Sequence, residues 1–392
     1  MLLSCEVSLR LLTRTNPDNG MAMIGRHVLL PYRPRPEAVR DWLKRPAGSY
    51  VVPDAQLGWT VKPRGRTPDG LYEANAEGAR APADRRYGER PPSGRLRLVT
   101  LGDSFTHGDG VGVEDTWQRE LERRRADLEV INLGVPGYGT DQAYLRWLRD
   151  GARLRPQFAL LAIWPEDICR NLNVVRFFMQ PAEGSGFLSK PRFLLADRRL
   201  ETLNQPVLEG ESLVRALTDP ATDPVLRHDY WAIPGDLEPR PWQHLRMARA
   251  IATVWNLHRR RTLRERLYAG TDASGIEVTV AIIEAFRRAA ERDGAVPVIV
   301  LIPMLDLLER YPEEAAFPLA HVLRAHGLAP IDLAPPMARA VRELGPSCCY
   351  EADRHLSAEG NRRLAGWLLE RLAPSLDTPR AASPPVSMQS VP

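Results

Sequence analysis

The sequence predicts an α/β protein: a doubly wound parallel sheet with helices on both faces, stacked in three layers. Three observations predict it. From Leu96 onward, short β-branched apolar runs alternate with amphipathic segments of helical period. The runs are almost continuously apolar, which suits strands covered on both sides. And a chain of 392 residues, 44% of them hydrophobic, is long enough to bury a large core around such a sheet.

In order along the chain, residues 1–95 are rich in Pro, Gly and Arg and weakly periodic, and are expected to form an N-terminal extension. Within it only "GSYVVPDAQLGWTVKPRGR", residues 48–66, suggests short strands. Five strands are predicted at 97–101, 129–133, 158–164, 297–302 and 330–333. Over a hundred residues separate the third from the fourth, far more than one crossover needs, so residues 171–242 are read as an insertion. Helices are predicted at 242–268, 273–292, 313–326 and 357–372. The sheet domain thus spans 96–373, and 374–392 has the composition of a disordered tail.

Composition excludes several classes of function. The formal net charge of +4 is spread through mixed clusters such as "RELERRRADLE", with no basic stripe interleaved with aromatics, so nucleic acid is not an expected partner. The four cysteines make no disulfide framework and no zinc spacing, and neither metal nor cofactor is expected. No apolar run is long enough for a transmembrane helix, which places the chain as written in the cytoplasm. "LLSC" near the start resembles the end of a lipoprotein signal without its apolar region; a true start further upstream would place the protein in the periplasm or on a membrane.

In an open parallel sheet, chemistry lies beyond the carboxyl ends of the strands. After the first strand comes "GDSFTHG", with Ser104 at a strand-to-helix turn, where it reads either as a helix cap or as a nucleophile. After the second comes "INLGVPGYGTDQ": Gly134, Gly137 and Gly139 form a turn, and the Gly134 N–H is the expected partner of the Ser104 N–H in binding an oxyanion. Near the end, "YEADRHLSAEGN" puts Asp353 and His355 just before a helix capped by Ser357. His107 is read as a surface or pocket-lining residue rather than a rival base, and Cys348 and Cys349 as a packed loop.

These blocks, in this order, resemble the SGNH (GDSL-type) hydrolase superfamily over roughly 96–372, with "GDSFTHGDGV" the most specific part, "VINLGVPGYGTDQ" in support and "DRHLSAEGN" at the close. The resemblance implies a flavodoxin-like five-stranded sheet and a serine esterase. It implies that Ser104 is the nucleophile, His355 its base, Asp353 the group that orients the imidazole, and Asp103 a structural aspartate. Several bacterial relatives carry a membrane anchor just upstream of a similar leading segment. The chain departs from the pattern twice: one residue, not two, separates Asp353 from His355, and "WPEDICRNLN" sets Glu166 where an oxyanion-hole Asn is usual. A carboxylate there repels an oxyanion, which leaves three remedies: a protonated Glu166, an amide from Asn171 or Asn173, or the charge of Arg170.

The insertion carries Phe177, Phe178, Tyr230, Trp231 and Trp242 with Arg170, Arg176 and Arg192, a set that stacks on sugar rings, grips an anionic chain or forms the core of a lid. The expected substrate is a small-molecule or carbohydrate ester, with O-acyl (O-acetyl) groups on a carbohydrate favoured. A glycan O-acyltransferase and a non-catalytic glycan-binding scaffold are the alternatives.

Overall fold

In the computed structural model, residues 2–181, 186–310 and 318–378 are described. The chain opens with helix α1 (Leu2–Leu12), a small antiparallel sheet of β1 (Arg14–Thr15), β2 (Ala22–Ile24) and β3 (His27–Val28), helix α2 (Pro36–Leu43), and a hairpin of β4 (Val51–Asp54) and β5 (Gly58–Val61). The main sheet follows: β6 (Leu96–Leu101), the single turn α3 (Ser104–His107), α4 (Trp117–Arg124), β7 (Leu128–Asn132), α5 (Thr140–Arg146) and β8 (Phe158–Ile163). Then come α6 (Glu166–Arg170), α7 (Arg176–Met179), the hairpin of β9 (Arg192–Ala196) and β10 (Arg199–Leu203), α8 (Gly210–Thr218) and α9 (Pro234–Leu237). Two long helices, α10 (Arg246–Tyr268) and α11 (Ala273–Arg292), lead to β11 (Val296–Leu301). The described chain ends with α12 (Leu305–Arg310), α13 (Pro318–Ala325), β12 (Ile331–Asp332), α14 (Ala334–Leu344) and α15 (Ala358–Leu376).

The main sheet has five strands in the order β12-β11-β8-β6-β7, every pair parallel. The chain leaves β6 to one side for β7 and then crosses to the other for β8, and that reversal leaves a crevice at the carboxyl end of β6. Strand pleating sorts the apolar runs onto two faces. Val99, Leu101, Ile131, Leu161 and Ile163 face a core shared with α5 and α11, while Leu98, Val130, Leu160 and Val300 face one shared with α4, α14 and α15. This is the predicted doubly wound, three-layer fold.

The differences from the predicted elements have local causes. The third strand stops at Ile163 because the Trp164 N–H turns to the Asp167 carboxylate. The fifth shrinks to two residues at the sheet edge, where Pro330 has no N–H to donate. The helix expected from 242 starts at Arg246, since Leu245 is extended. Of the helix expected at 313–326, residues 318–325 are helical and 311–317 lie outside the described residues. Residues 374–376, expected in the tail, belong to α15 instead, because Leu368, Leu372 and Leu376 continue one buried stripe through Pro374; residues 379–392 lie outside the described residues.

The first 95 residues pack against the sheet domain. Met21, Val28, Leu30 and Tyr32 enter the larger core, and Tyr50, Trp59 and Val61 form a third cluster with Val135 and Tyr138 from the loop after β7. None of the described helices is long and apolar enough to cross a membrane.

Candidate active site

The site begins where β6 ends. Gly102 has φ +154°, and a Cβ there would lie 2.2 Å from Thr106 Oγ1 and 2.7 Å from the Ala162 carbonyl, so the tight turn requires glycine. Asp103, not Ser104, caps α3: its Oδ1 accepts the Phe105 N–H at 2.9 Å. Ser104 is left as the first helical residue with its hydroxyl free to turn outward, and that hydroxyl lies 3.1 Å from His355 Nε2. His355 Nδ1 is 3.0 Å from Asp353 Oδ2, and the other Asp353 oxygen accepts the His355 backbone N–H at 3.0 Å. The structure thus brings Ser104, His355 and Asp353 together across 251 residues of sequence.

The one-residue spacing between Asp353 and His355 works because Arg354 takes the left-handed conformation, φ 72°. That folds the backbone so tightly that the Glu351 N–H reaches the His355 carbonyl at 2.8 Å and both functional side chains face the same way. Arg354 itself pairs with Asp306. Partial burial works to raise the Asp353 pKa, but the hydrogen bonds from His355 outweigh it and hold the carboxyl below its usual range. On the other flank, Phe105 stacks on Trp164 at 4.9 Å between ring centres and lies 5.4 Å from the His355 ring.

Beneath Ser104 sits a buried ionic knot. Arg170 Nη1 donates to Asp103 at 3.0 Å, to Asp167 at 3.2 Å and to the Tyr138 carbonyl at 2.8 Å. Burial pushes the pKa of Asp103 up, and that of Asp167 further still because Asp103 adds repulsion, while Arg170 opposes both shifts. Arg170 is therefore a strut joining the loops after β6, β7 and β8, and its Nη1 is taken up there rather than offered to an oxyanion, as the third remedy required.

Other candidates are placed elsewhere. The Gly134 N–H, expected at the oxyanion, donates instead to Asn132 Oδ1 at 2.9 Å, and its Cα packs on the backbone of Thr106 and His107. Asn171 is occupied by the Asp141 N–H at 3.1 Å and Thr279 Oγ1 at 2.8 Å. Asn173 donates to Asp229 and to the Val175 carbonyl. Neither amide is free to swing in. Glu166 is half-buried on the first turn of α6, with the Tyr268 hydroxyl at 3.5 Å. His107 is not at the surface: it is fully buried, 2.7 Å from Tyr50 Oη and 2.5 Å from Asp109, and burial drives its pKa down to about 4. Phe177, Phe178 and Trp231 are buried in the main core and offer no platform for sugar rings. Arg192 is occupied by the Leu172 and His228 carbonyls.

What sequence reasoning missed is which glycine of the loop after β7 leaves its N–H unengaged: not Gly134 but Gly137, in the turn at Pro136 and Gly137. The Tyr138 N–H reaches the Val135 carbonyl at 3.2 Å and Gly137 has φ +80°, a type II turn with proline and glycine at its two central positions. The N–H groups of Gly137 and Ser104 have no acceptor among the described residues. The Pro136 carbonyl accepts Trp59 Nε1 from the N-terminal extension at 2.9 Å, and the Gly137 carbonyl accepts Arg176 at 2.9 Å. A trans peptide points its N–H opposite its C=O, so Trp59 turns the Gly137 N–H away from itself. The signal was present as "PG", the dipeptide of a type II turn; Gly134 stood nearer the strand and hid it. Among the described residues no group of side chains suits a metal ion.

Fold and side chains together define a class: an α/β/α protein with a serine–histidine–aspartate arrangement at the carboxyl edge of a parallel sheet. No model of a protein family matches the chain, and neither does any curated protein sequence. Among solved structures it is similar to a lipolytic protein of the G-D-S-L family from Desulfitobacterium hafniense DCB-2, at 12% identity over 70% of this chain and 99% of that one, with a TM-score of 0.33. It is similar to the acetyl xylan esterase AlAXEase at 12% identity, covering 71% and 100%, TM-score 0.37. It is also similar to a lipase/acylhydrolase from Enterococcus faecalis at 14% identity, covering 73% and 100%, TM-score 0.36.

Proposed function

We propose that the protein is a serine esterase of the SGNH type that its motifs resemble, cleaving carboxylic esters through an acyl-serine. The observation that carries this reading is the position of His355, with Ser104 Oγ at 3.1 Å from one ring nitrogen and Asp353 at 3.0 Å from the other. In the first step Ser104 Oγ attacks the ester carbonyl and its proton passes to His355 Nε2. The Asp353 carboxylate holds the proton on Nδ1 and stabilises the imidazolium. The tetrahedral oxyanion is bound by the N–H groups of Ser104 and Gly137, which replaces the expected Gly134 and needs no amide at position 166. His355 then returns its proton to the leaving alcohol, accepts one from water, and water frees the acid.

Because the two donors are backbone groups, Glu166 does not disable the hole, and the reading as a non-catalytic scaffold loses its motive. O-acetyl groups on a carbohydrate are the first natural substrate to test, with transfer to a glycan acceptor distinguished by its acylated product. The test is hydrolysis of an activated acetate ester: Ser104→Ala is expected to lower kcat/KM at least about a thousandfold, and the Ser104→Ala/His355→Ala pair little further, because nucleophile and base act as one unit. A wild type no faster than Ser104→Ala contradicts the proposal.

A further inference from the structure

The first two-thirds of helix α10 is turned inside out. From Thr253 to Arg260 its buried side is polar: Thr253 accepts the Leu30 N–H at 3.1 Å, Asn256 accepts from Tyr32 Oη at 3.0 Å, and Arg260 pairs with Asp236 at 2.7 Å. Only near the end does a fully buried apolar residue, Leu267, enter the core. Its outer side is apolar, with Ile251, Val254 and Trp255 in solvent and Trp255 72% exposed. A surface helix of a globular protein ordinarily shows the reverse. Beside it, α1 presents Leu3, Val7 and Leu11 at helical spacing, Leu11 82% exposed. Glu6 joins the two helices by accepting the N–H groups of Arg246 and Met247, which fixes both apolar stripes in one region. Of the fifteen large hydrophobic side chains exposed among the described residues, ten lie on α1, α10 and the turn before α10. Exposed apolar area on that scale marks an interaction surface.

The charge beside it selects the partner. Of the seven arginines of α10, Arg260 is buried on Asp236, Arg249 and Arg264 donate to backbone carbonyls, Arg259 shares Asp236 and Arg261 pairs with Glu265. Seven guanidiniums thus meet two carboxylates, and the exposed Arg259, Arg261 and Arg266 leave the surface cationic. Arg246 and Arg249 lie in its first turn, where the helix dipole disfavours cations, and Arg246 has no carboxylate partner among the described residues beyond the backbone cap from Glu6. Two copies of so cationic a face repel each other, whereas tryptophan at headgroup depth with flanking arginines suits a bilayer interface. We propose that the α1–α10 face docks the protein on an anionic lipid surface, with Ile251, Val254, Trp255, Leu3, Val7 and Leu11 entering the interface and Arg246 with the exposed Arg259, Arg261 and Arg266 meeting lipid phosphates.

The experiment is flotation of the full chain with vesicles of phosphatidylcholine containing phosphatidylglycerol, against phosphatidylcholine alone. Binding is expected to the anionic vesicles only and to weaken in high salt, since screening shortens the reach of the arginines. The double variant Ile251→Ser/Trp255→Ser should lose at least about tenfold in vesicle affinity. Its hydrolysis of a soluble ester should be unchanged, because both side chains are exposed and belong neither to the Ser104–His355–Asp353 group nor to the turn at Pro136 and Gly137. Arg246→Gln should weaken binding while leaving the apolar stripe intact. The proposal is overturned if wild type fails to float with anionic vesicles, or if it forms a dimer that Ile251→Ser/Trp255→Ser dissolves, in which case a second copy covers the face.

Discussion

Trp59 does two things at once. Its indole N–H holds the Pro136 carbonyl at 2.9 Å, and its own carbonyl accepts the Tyr138 hydroxyl at 2.6 Å. The peptide between Pro136 and Gly137 is therefore clamped, and the N–H proposed to bind the oxyanion is oriented before substrate arrives. Replacing Trp59 by Phe keeps most of the packing and removes the clamp. We expect kcat to fall about tenfold with KM little changed, because the lost orientation acts on the transition state. Stability should fall by about 1 to 2 kcal/mol for the unpaired carbonyl. Steady-state kinetics and urea titration on one preparation separate the two effects; a rise in KM alone would assign Trp59 to substrate binding instead. His107 supplies a second prediction. Burial lowers its pKa from 6.5 to about 4, so between those values the unfolded chain binds a proton the folded one refuses. Stability from this group is full above pH 6.5 and is lost as pH falls toward 4, by up to about 3 kcal/mol. Thermal unfolding from pH 7 to pH 4 should show a steeper loss for wild type than for His107→Gln.

At the scale of elements, the site is three loops tied by one cation. Arg170 on α6 reaches Asp103 after β6, the Tyr138 carbonyl after β7 and Asp167 on its own helix. Arg170→Met leaves two buried carboxylates facing each other without the charge between them. The expected cost is about 3 to 5 kcal/mol, read as a lowered denaturation midpoint, together with loss of activity as the loops part. A variant as stable as wild type would mean the knot contributes nothing. The same loops show what was legible in the sequence. The five strands could be read because continuous apolar runs have few other uses; the capped helix after Asp353 and His355 placed the pair in a loop, and only the resemblance gave the two residues their roles. The hairpin of β9 and β10 could not, since its one apolar run, Phe193 to Ala196, is short and the charged, largely exposed partner strand RLETL carries no strand signal. Gly134 was chosen over Gly137 because sequence shows which residues can adopt a positive φ, not which N–H is already engaged; Asn132 decided that through space. His107 was misplaced for the same reason, its partners Tyr50 and Asp109 coming from an extension and a turn that carry no periodic signal.

At the scale of the molecule, the N-terminal extension is part of the site's construction. It supplies Trp59 to the turn at Pro136 and Gly137, Tyr50 to His107, and the Tyr72 hydroxyl that accepts the Gly110 N–H at 2.9 Å. Removing residues 1–95 should leave a protein that fails to fold cooperatively, since Met21, Val28, Leu30 and Tyr32 are withdrawn from the larger core and Tyr50, Trp59 and Val61 from the third cluster. A truncated chain with a sharp thermal transition and full activity would show the extension to be an ornament.

The central claim is that His355 activates Ser104 as a nucleophile, and covalent labelling tests it most directly. Treated with a fluorophosphonate and weighed intact, the wild-type protein is expected to gain one adduct per chain, located on the peptide that contains Ser104. His355→Ala should slow that labelling by at least about a hundredfold, since an unassisted serine hydroxyl is a weak nucleophile. Labelling that is absent from Ser104, or that proceeds at the same rate in His355→Ala, would contradict the account.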